Sequence, residues 1–226
     1  MNLSPGQIDS LKKLISYKGY PEIDVQYEIL DHVACRVEEL MNQNPKLSLN
    51  EAFAKAHGEF GVFGFSELEE SYKKVIQKRV IKNFSVELKD LFTSLRIIYP
   101  LGLGFIFHQS SVLLGNSNLW LILMVGFVLI ASIGIISKYW SKSKAYRKYA
   151  SFQVTALWFQ LLNLGIICAF NAYQFVLKSP QSLFEKVFSG IILLVLGVMF
   201  VSIFIIPKVV NQSIRETEKL KAIYET

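Results

Sequence analysis

Residues 97–114, 119–136, 152–177 and 188–206 form four blocks that contain no Asp, Glu, Lys or Arg. Each is 18 residues or longer, close to the roughly 20 that a helix needs to cross the hydrocarbon core of a bilayer. A hydrophobic content of 52% would also suit a large soluble core. The distribution of charge excludes that reading. Residues 1–95 carry 12 Lys and Arg against 14 Asp and Glu, whereas residues 96–226 carry 12 against 4. The overall charge of +6 therefore marks a membrane half whose cations crowd into connectors, beside a mildly acidic half, and gives no nucleic-acid signature.

The connectors set an expected orientation. Cations are dense in residues 73–96 (Lys73, Lys74, Lys78, Arg79, Lys82, Lys89 and Arg96) and absent from 115–118. Residues 138–151 hold five with no acid, residues 178–187 hold two Lys and one Glu, and the stretch after Pro207 holds four. That alternation is the positive-inside pattern of an even number of spans with both termini cytoplasmic, in the plasma (inner) membrane. Tyr139, Trp140, Tyr146 and Tyr149 fall where an interfacial aromatic belt is expected. The first block is diluted by Pro100, Gly102, Gly104, His108 and Gln109, and reads as a kinked or Gly-packed helix with His108 near its outer end. The N-terminus has no apolar run, which predicts no secretory signal peptide.

The expected fold class is all-α: a small N-terminal domain of three to four helices, then a four-helix transmembrane bundle. Residues 1–65 read as a cytoplasmic module, 66–96 as a linker helix, 97–210 as the spans with their connectors and 207–226 as a cytoplasmic tail. Within the module, Ser4-Pro5-Gly6-Gln7 and Ser48-Leu49-Asn50-Glu51 are capping boxes, and Ser66-Glu67-Leu68-Glu69 reads as a third. Gly19 and Pro21 end the first helix, Asn44-Pro45 the second, and Gly61 and Gly64 the third. With no Gly or Pro from Ser66 to Pro100, the fourth helix is expected to run unbroken into the first span as a stiff rod.

Two residue sets are candidate sites. On the second helix Leu30, Val33, Ala34, Val37, Leu40 and Met41 form the core stripe. Its other face presents Glu28, Asp31, His32, Cys35 and Glu39, a solvated surface or a docking face for a cytoplasmic protein partner. On the third span Gln153, Gln160, Asn163, Asn171 and Gln174 fall within about 80° of one another at 100° per residue. They read either as bonds between helices or as a polar path. Gly165 with Ala169, and Gly190 with Gly197, permit close packing within the bundle or between copies in a homo-oligomer. His32, Cys35 and His57 fall short of the four ligands of a structural zinc site. Cys35 and Cys168 lie in different halves, which argues against a disulfide. No nucleophile elbow, phosphate-cradling Gly loop or metal-ligand set is present, so neither an enzyme nor a cofactor is expected.

Tyr27-Glu28-Ile29-Leu30-Asp31-His32-Val33, followed by Glu38-Glu39, by Ser48-Leu49-Asn50-Glu51-Ala52 and by Phe60-Gly61, resembles the HAAS or permease-prefix helical modules of bacterial membrane proteins. The match covers about residues 5–75 and departs where Phe60-Gly61 runs on into Val-Phe-Gly-Phe in place of a polar turn. The resemblance implies a module that communicates with a PadR-like regulator or a transport permease, and does not imply an enzyme. The chain is thus expected to be regulatory, coupling the state of the membrane to a cytoplasmic partner. A small four-span transporter or pore subunit using the amide stripe is the alternative.

Overall fold

A computed structural model describes residues 3–116, 118–177 and 183–224, apart from the side chains of Trp140, Ser141, Ser143, Leu177, Phe184, Ile223 and Tyr224. The described chain is all helical, with no strand among these residues. The elements are α1 (Pro5–Tyr17), α2 (Ile23–Gln43), α3 (Leu49–Glu59), α4 (Ser66–Thr93), α5 (Ile98–Leu113), α6 (Leu119–Tyr146), α7 (Ala150–Leu177), α8 (Leu183–Ser202) and α9 (Ile206–Tyr224), with a 3-10 turn at Leu95–Ile97. Three helical stretches are long and apolar enough to cross a membrane: Leu119–Tyr139, Ala150–Val176 and Glu185–Ser202. A fourth crossing is available if α4 and α5, bent by 86° at their junction, count as one broken span.

The chain divides into two compact units that do not follow its order. Met1–Arg79, Ala145–Val154 and Ser213–Thr226 form one, and Val80–Lys144 with Thr155–Gln212 forms the other. The first unit therefore takes in the segment joining the second and third spans and most of the expected tail. That tail, from residue 207 on, is not loose chain. It is α9, whose residues Ser213, Ile214 and Thr217 are buried.

In the first unit α2 packs against both α1 and α3. Two of the three expected capping boxes form, Ser4 with Gln7 and Ser48 with Glu51, each satisfying two of the orphan N–H groups at a helix start. The third does not. Ser66 is already helical, the Glu69 N–H donates to the Phe65 carbonyl, and the Ser66 hydroxyl lies 3.2 Å from that of Tyr20. The core runs through Leu11, Ile15, Val25, Ile29, Val33, Val37 and Phe53. The unexpected Val-Phe-Gly-Phe turn proves structural. Gly61 and Gly64 take φ of 75° and 54°, which side chains with a Cβ rarely tolerate. Their turn leaves Val62 and Phe63 in the open and buries Phe65 completely. The Phe65 ring sits 4.9 Å from those of His57 and Phe60, and 5.9–6.0 Å from Tyr20 and Phe53, in edge-on and tilted geometries that aromatic quadrupoles favour.

In the second unit the candidate spans close on two apolar clusters. Val128, Ile166, Phe200, Ile203 and Ile206 form one, while Leu121, Val176, Ile192 and Leu196 form the other. Phe107, Phe127, Phe200 and Phe204 add a ring cluster with centroids 5.7–6.3 Å apart. Gly165 lies at a close approach, since a Cβ there would sit 2.7 Å from the Met199 methyl. Gly190 and Gly197 face open space instead.

Three further sequence expectations change. The rod from Ser66 into the first span is broken at Ser94, whose backbone is extended. Pro100 is the physical cause. It has no N–H to offer the carbonyl four residues back, and its ring crowds that carbonyl, a cost that is avoided when Pro100 stands in the first turn of a helix. The helix restarts just before it, at Ile98. The second connector, residues 138–151, is mostly helix, because α6 runs on to Tyr146 and only residues 147–149 turn. Tyr139, Tyr146 and Tyr149 do not form an outward belt, since all three are buried. The side chain of Trp140, the fourth expected member, lies outside the described ones. Tyr139 donates to the Asn211 side chain (2.9 Å) and Tyr146 to Glu218 (2.9 Å), so α9 takes up hydroxyls that a bilayer interface would otherwise have hydrated.

Candidate functional site

The most specific polar construction lies in the first unit. Asp24, in the first turn of α2, is only 1% exposed. Its two carboxylate oxygens accept from the backbone N–H groups of Ala150 (2.7 Å) and Ser151 (2.9 Å), the first two residues of α7. A helix start leaves four N–H groups without intrahelical partners and carries partial positive charge, so a buried carboxylate there is held by charge-assisted bonds. The Ile23 N–H donates to the Lys148 carbonyl (2.9 Å), which ties the same turn of α2 to the residues before α7. Around this joint, Ser213 donates to the Ser151 carbonyl (3.3 Å), the Ser151 and Thr217 hydroxyls lie 3.2 Å apart, and Arg79 pairs with Glu216 (3.2 Å). Asp24 thus bonds the start of α7 to α2, and Ser151 at that start is bonded in turn to α9. Sequence reading missed Asp24. The sole local signal was an acid in the first turn of α2, where its evident role is to favour its own helix dipole.

The acidic residues of α2 differ in how free they are. Glu28 and His32 are one turn apart with side chains 3.7 Å from each other, and both are about half exposed. Asp31 is exposed. Glu39 is engaged by Arg36 (2.8 Å), whose guanidinium also makes a two-pronged contact with Glu59 of α3 at 2.7 Å each. Those hydrogen bonds raise the Arg36 pKa and lower that of Glu59. Glu28, Asp31 and His32 are therefore the part of this face open to a partner. Cys35 is exposed as well. His57 is turned away, edge-on to Phe65, and burial with the nearby Lys18 charge lowers its pKa. No group of three or more potential metal ligands occurs among the described residues.

Three of the five α7 amides bond to backbone carbonyls of their own helix or of the turn before it. Asn163 and Asn171 each donate to the carbonyl four residues back, of Phe159 and Ile167 (2.9 and 2.8 Å), and Gln153 donates to the Arg147 carbonyl (2.8 Å). Gln160 is exposed and Gln174 half-buried. Of the five, Asn163 is the member whose amide oxygen is buried without a hydrogen-bond partner.

Two further features belong to the second unit. Glu87 of α4 accepts from Gln212 (3.0 Å) and pairs with Lys208 (3.1 Å), while Asp90 pairs with Arg96 (2.6 Å) and Lys208 (3.5 Å). Beside this charged cluster is an open apolar groove of about 510 Å³, lined by Ile81, Phe84, Trp158, Phe159, Met199 and Val209 among others. Its volume lies within the range of small-molecule pockets. Compared with protein-family models, curated proteins and solved structures, the chain matches none.

Proposed function

We propose that this chain is a regulatory membrane protein that passes the state of its spans to a cytoplasmic signalling module. The observation that carries the reading is the Asp24 joint. Helix α2 bears the open face of Glu28, Asp31 and His32, and its first turn is bonded to the first turn of α7, which continues without interruption through a candidate span. A tilt or axial rotation of α7 moves Ala150 and Ser151, and α2 must follow or lose two charge-assisted bonds. Such a joint transmits only if the spans have two arrangements of similar energy, biased by a ligand, by bilayer thickness or by oligomeric state. The likeness of residues 5–75 to HAAS modules supports a partner of the PadR-like or permease class. The alternating connector charge supports cytoplasmic termini in a bacterial plasma membrane. Neither nucleic-acid binding by the chain itself nor catalysis is part of this reading.

The test uses the full chain in nanodiscs of two lipid thicknesses, with hydrogen exchange read along α2. Wild type is expected to change protection in α2 with thickness, and Asp24→Asn to weaken that response while the spans stay protected. An α2 profile indifferent to thickness in both proteins sinks the proposal.

Passive transport along α7 is the second reading, favoured by the buried, unpartnered amide oxygen of Asn163. It requires solute flux in proteoliposomes that Gln160→Leu with Asn163→Leu abolishes at unchanged expression and folding. The absence of acids and bases from the four apolar blocks, His108 apart, removes the usual carriers of proton- or ion-coupled transport.

A further inference from the structure

We infer that the second half of α4, from Val80 to Thr93, is an in-plane membrane helix seated at the boundary between headgroups and acyl chains of an anionic bilayer. The first observation is the 86° bend between α4 and the α5 segment. Membrane spans tilt by about 20° on average from the bilayer normal. With α5 crossing as the apolar block 97–114 suggests, a helix at nearly a right angle to it lies close to the membrane plane. With acids and bases through its length, α4 is too highly charged to enter the hydrocarbon itself.

The second observation is the order of residues around the helix. At 100° per residue, Ile81, Phe84, Leu88 and Phe92 fall within about 80° of one another. Ile81 and Phe92 are 48% and 58% exposed, while Phe84 and Leu88 are half-buried. The buried Leu91 and the paired Glu87 lie on one flank of this strip, facing the protein. On the other flank are the exposed Lys82 and Lys89, about 60–80° further round. An apolar strip bordered by lysines that can rest their stems on the boundary and reach anionic headgroups is the pattern of helices lying in the interface.

The third observation is continuity. The strip leads into Leu95, Ile98 and Tyr99, all more than half exposed, where the first span begins. Helix α5 has 16 residues, about 24 Å at 1.5 Å per residue, against a hydrocarbon core of ~30 Å. A span that starts from a helix sunk about 5–10 Å into the boundary has correspondingly less to cross. Ile81 and Phe84 also line the apolar groove, which keeps one continuous apolar surface toward the acyl chains.

Power-saturation EPR tests this in the full chain, with Cys35 and Cys168 changed to Ser and the protein reconstituted in phosphatidylglycerol–phosphatidylcholine vesicles. Single labels are placed through Ile81→Cys, Phe92→Cys, Lys82→Cys and Val86→Cys. Val86 is the discriminating control, because it is apolar and 58% exposed yet lies about 140° round from Ile81. Labels at Ile81 and Phe92 are expected to favour oxygen over a water-soluble nickel chelate, and those at Lys82 and Val86 the reverse. Equal nickel access at all four positions overturns the inference. Labels at Ile81 and Phe92 that are shielded from both relaxants, with spin–spin broadening, also overturn it and assign the strip to a contact between copies of the chain. Raising the phosphatidylglycerol fraction is expected to deepen the Ile81 label, a shift that Lys82→Glu with Lys89→Glu removes.

Discussion

Asp24 and Ala150 lie 126 residues apart in the chain, and 2.7 Å separates the carboxylate of one from the backbone nitrogen of the other. The bond makes an N-cap for α7 out of a residue on α2. A local cap would have been a Ser, Thr, Asp or Asn just before the helix, and the residue in that place is Tyr149, which has no such acceptor and is fully buried.

Removing this carboxylate should therefore destabilise more than the usual loss of a cap. Asp24→Ala leaves two buried N–H groups unpaired, and about 2 kcal/mol is expected from the combined loss of cap and partners. Asp24→Asn keeps one acceptor oxygen and should cost less. Thermal unfolding of the full chain in detergent gives the order. Hydrogen exchange at Ala150 and Ser151 should accelerate in Asp24→Ala before exchange in α8 does.

Gly64 should refuse any side chain. Its φ is +54°, and a Cβ would meet the His57 ring at 2.7 Å. Gly64→Ala is expected to cost about 1–2 kcal/mol from the left-handed backbone alone, with the His57 contact adding to it. Gly61→Ala shares the backbone penalty but meets nothing within 4 Å. It should be the milder of the two in the same melt.

His57 should make the first unit acid-sensitive. Burial first, and the Lys18 charge second, hold its pKa below the ordinary 6.5. The unfolded chain then binds the proton at higher pH than the folded one. Stability from this residue is complete above the unfolded value and is lost as pH falls from about 6.5 toward the depressed one. The slope of melting temperature against pH in that window should be shallower in His57→Gln than in wild type. An imidazole NMR titration should place the wild-type midpoint below 6.5.

Within the second unit, Glu87 should matter more than its partner Lys208. The Glu87 side chain is 12% exposed and that of Lys208 47%. Glu87→Ala leaves Gln212 without its acceptor and Lys208 with Asp90 alone (3.5 Å), and should cost about 2 kcal/mol. Lys208→Ala leaves Glu87 near Arg96 (3.8 Å) and should cost under about 1 kcal/mol. Equal losses in a denaturation series would contradict this ranking.

Gly165 should tolerate one methyl and little else. The obstacle is the far end of Met199, a flexible side chain that can yield. Gly165→Ala is expected to be near neutral, whereas Gly165→Leu should cost about 1–3 kcal/mol by overpacking the contact between α7 and α8. Detergent-solubilised melting temperatures decide it.

The all-helical class, the apolar blocks, two capping boxes and the helix ends at Gly19 and Pro45 were legible in the order of residues. Each is a local cost: charge in hydrocarbon, an uncapped N–H, a ring without a proton to donate. The same locality explains the break at Ser94, once Pro100 is taken to act on the turn before it. What the chain order could not decide was which distant groups meet. Tyr139, Tyr146 and Tyr149 carry the signature of an interfacial belt, and only packing turned them inward, Tyr139 and Tyr146 onto α9. Asp24 has the pattern of a dipole-favouring acid on its own helix, and only the tertiary structure gave it to α7. Unlike a capping box, a buried carboxylate and the N–H groups that hold it share no spacing, because the bond depends on distance in space and not along the chain.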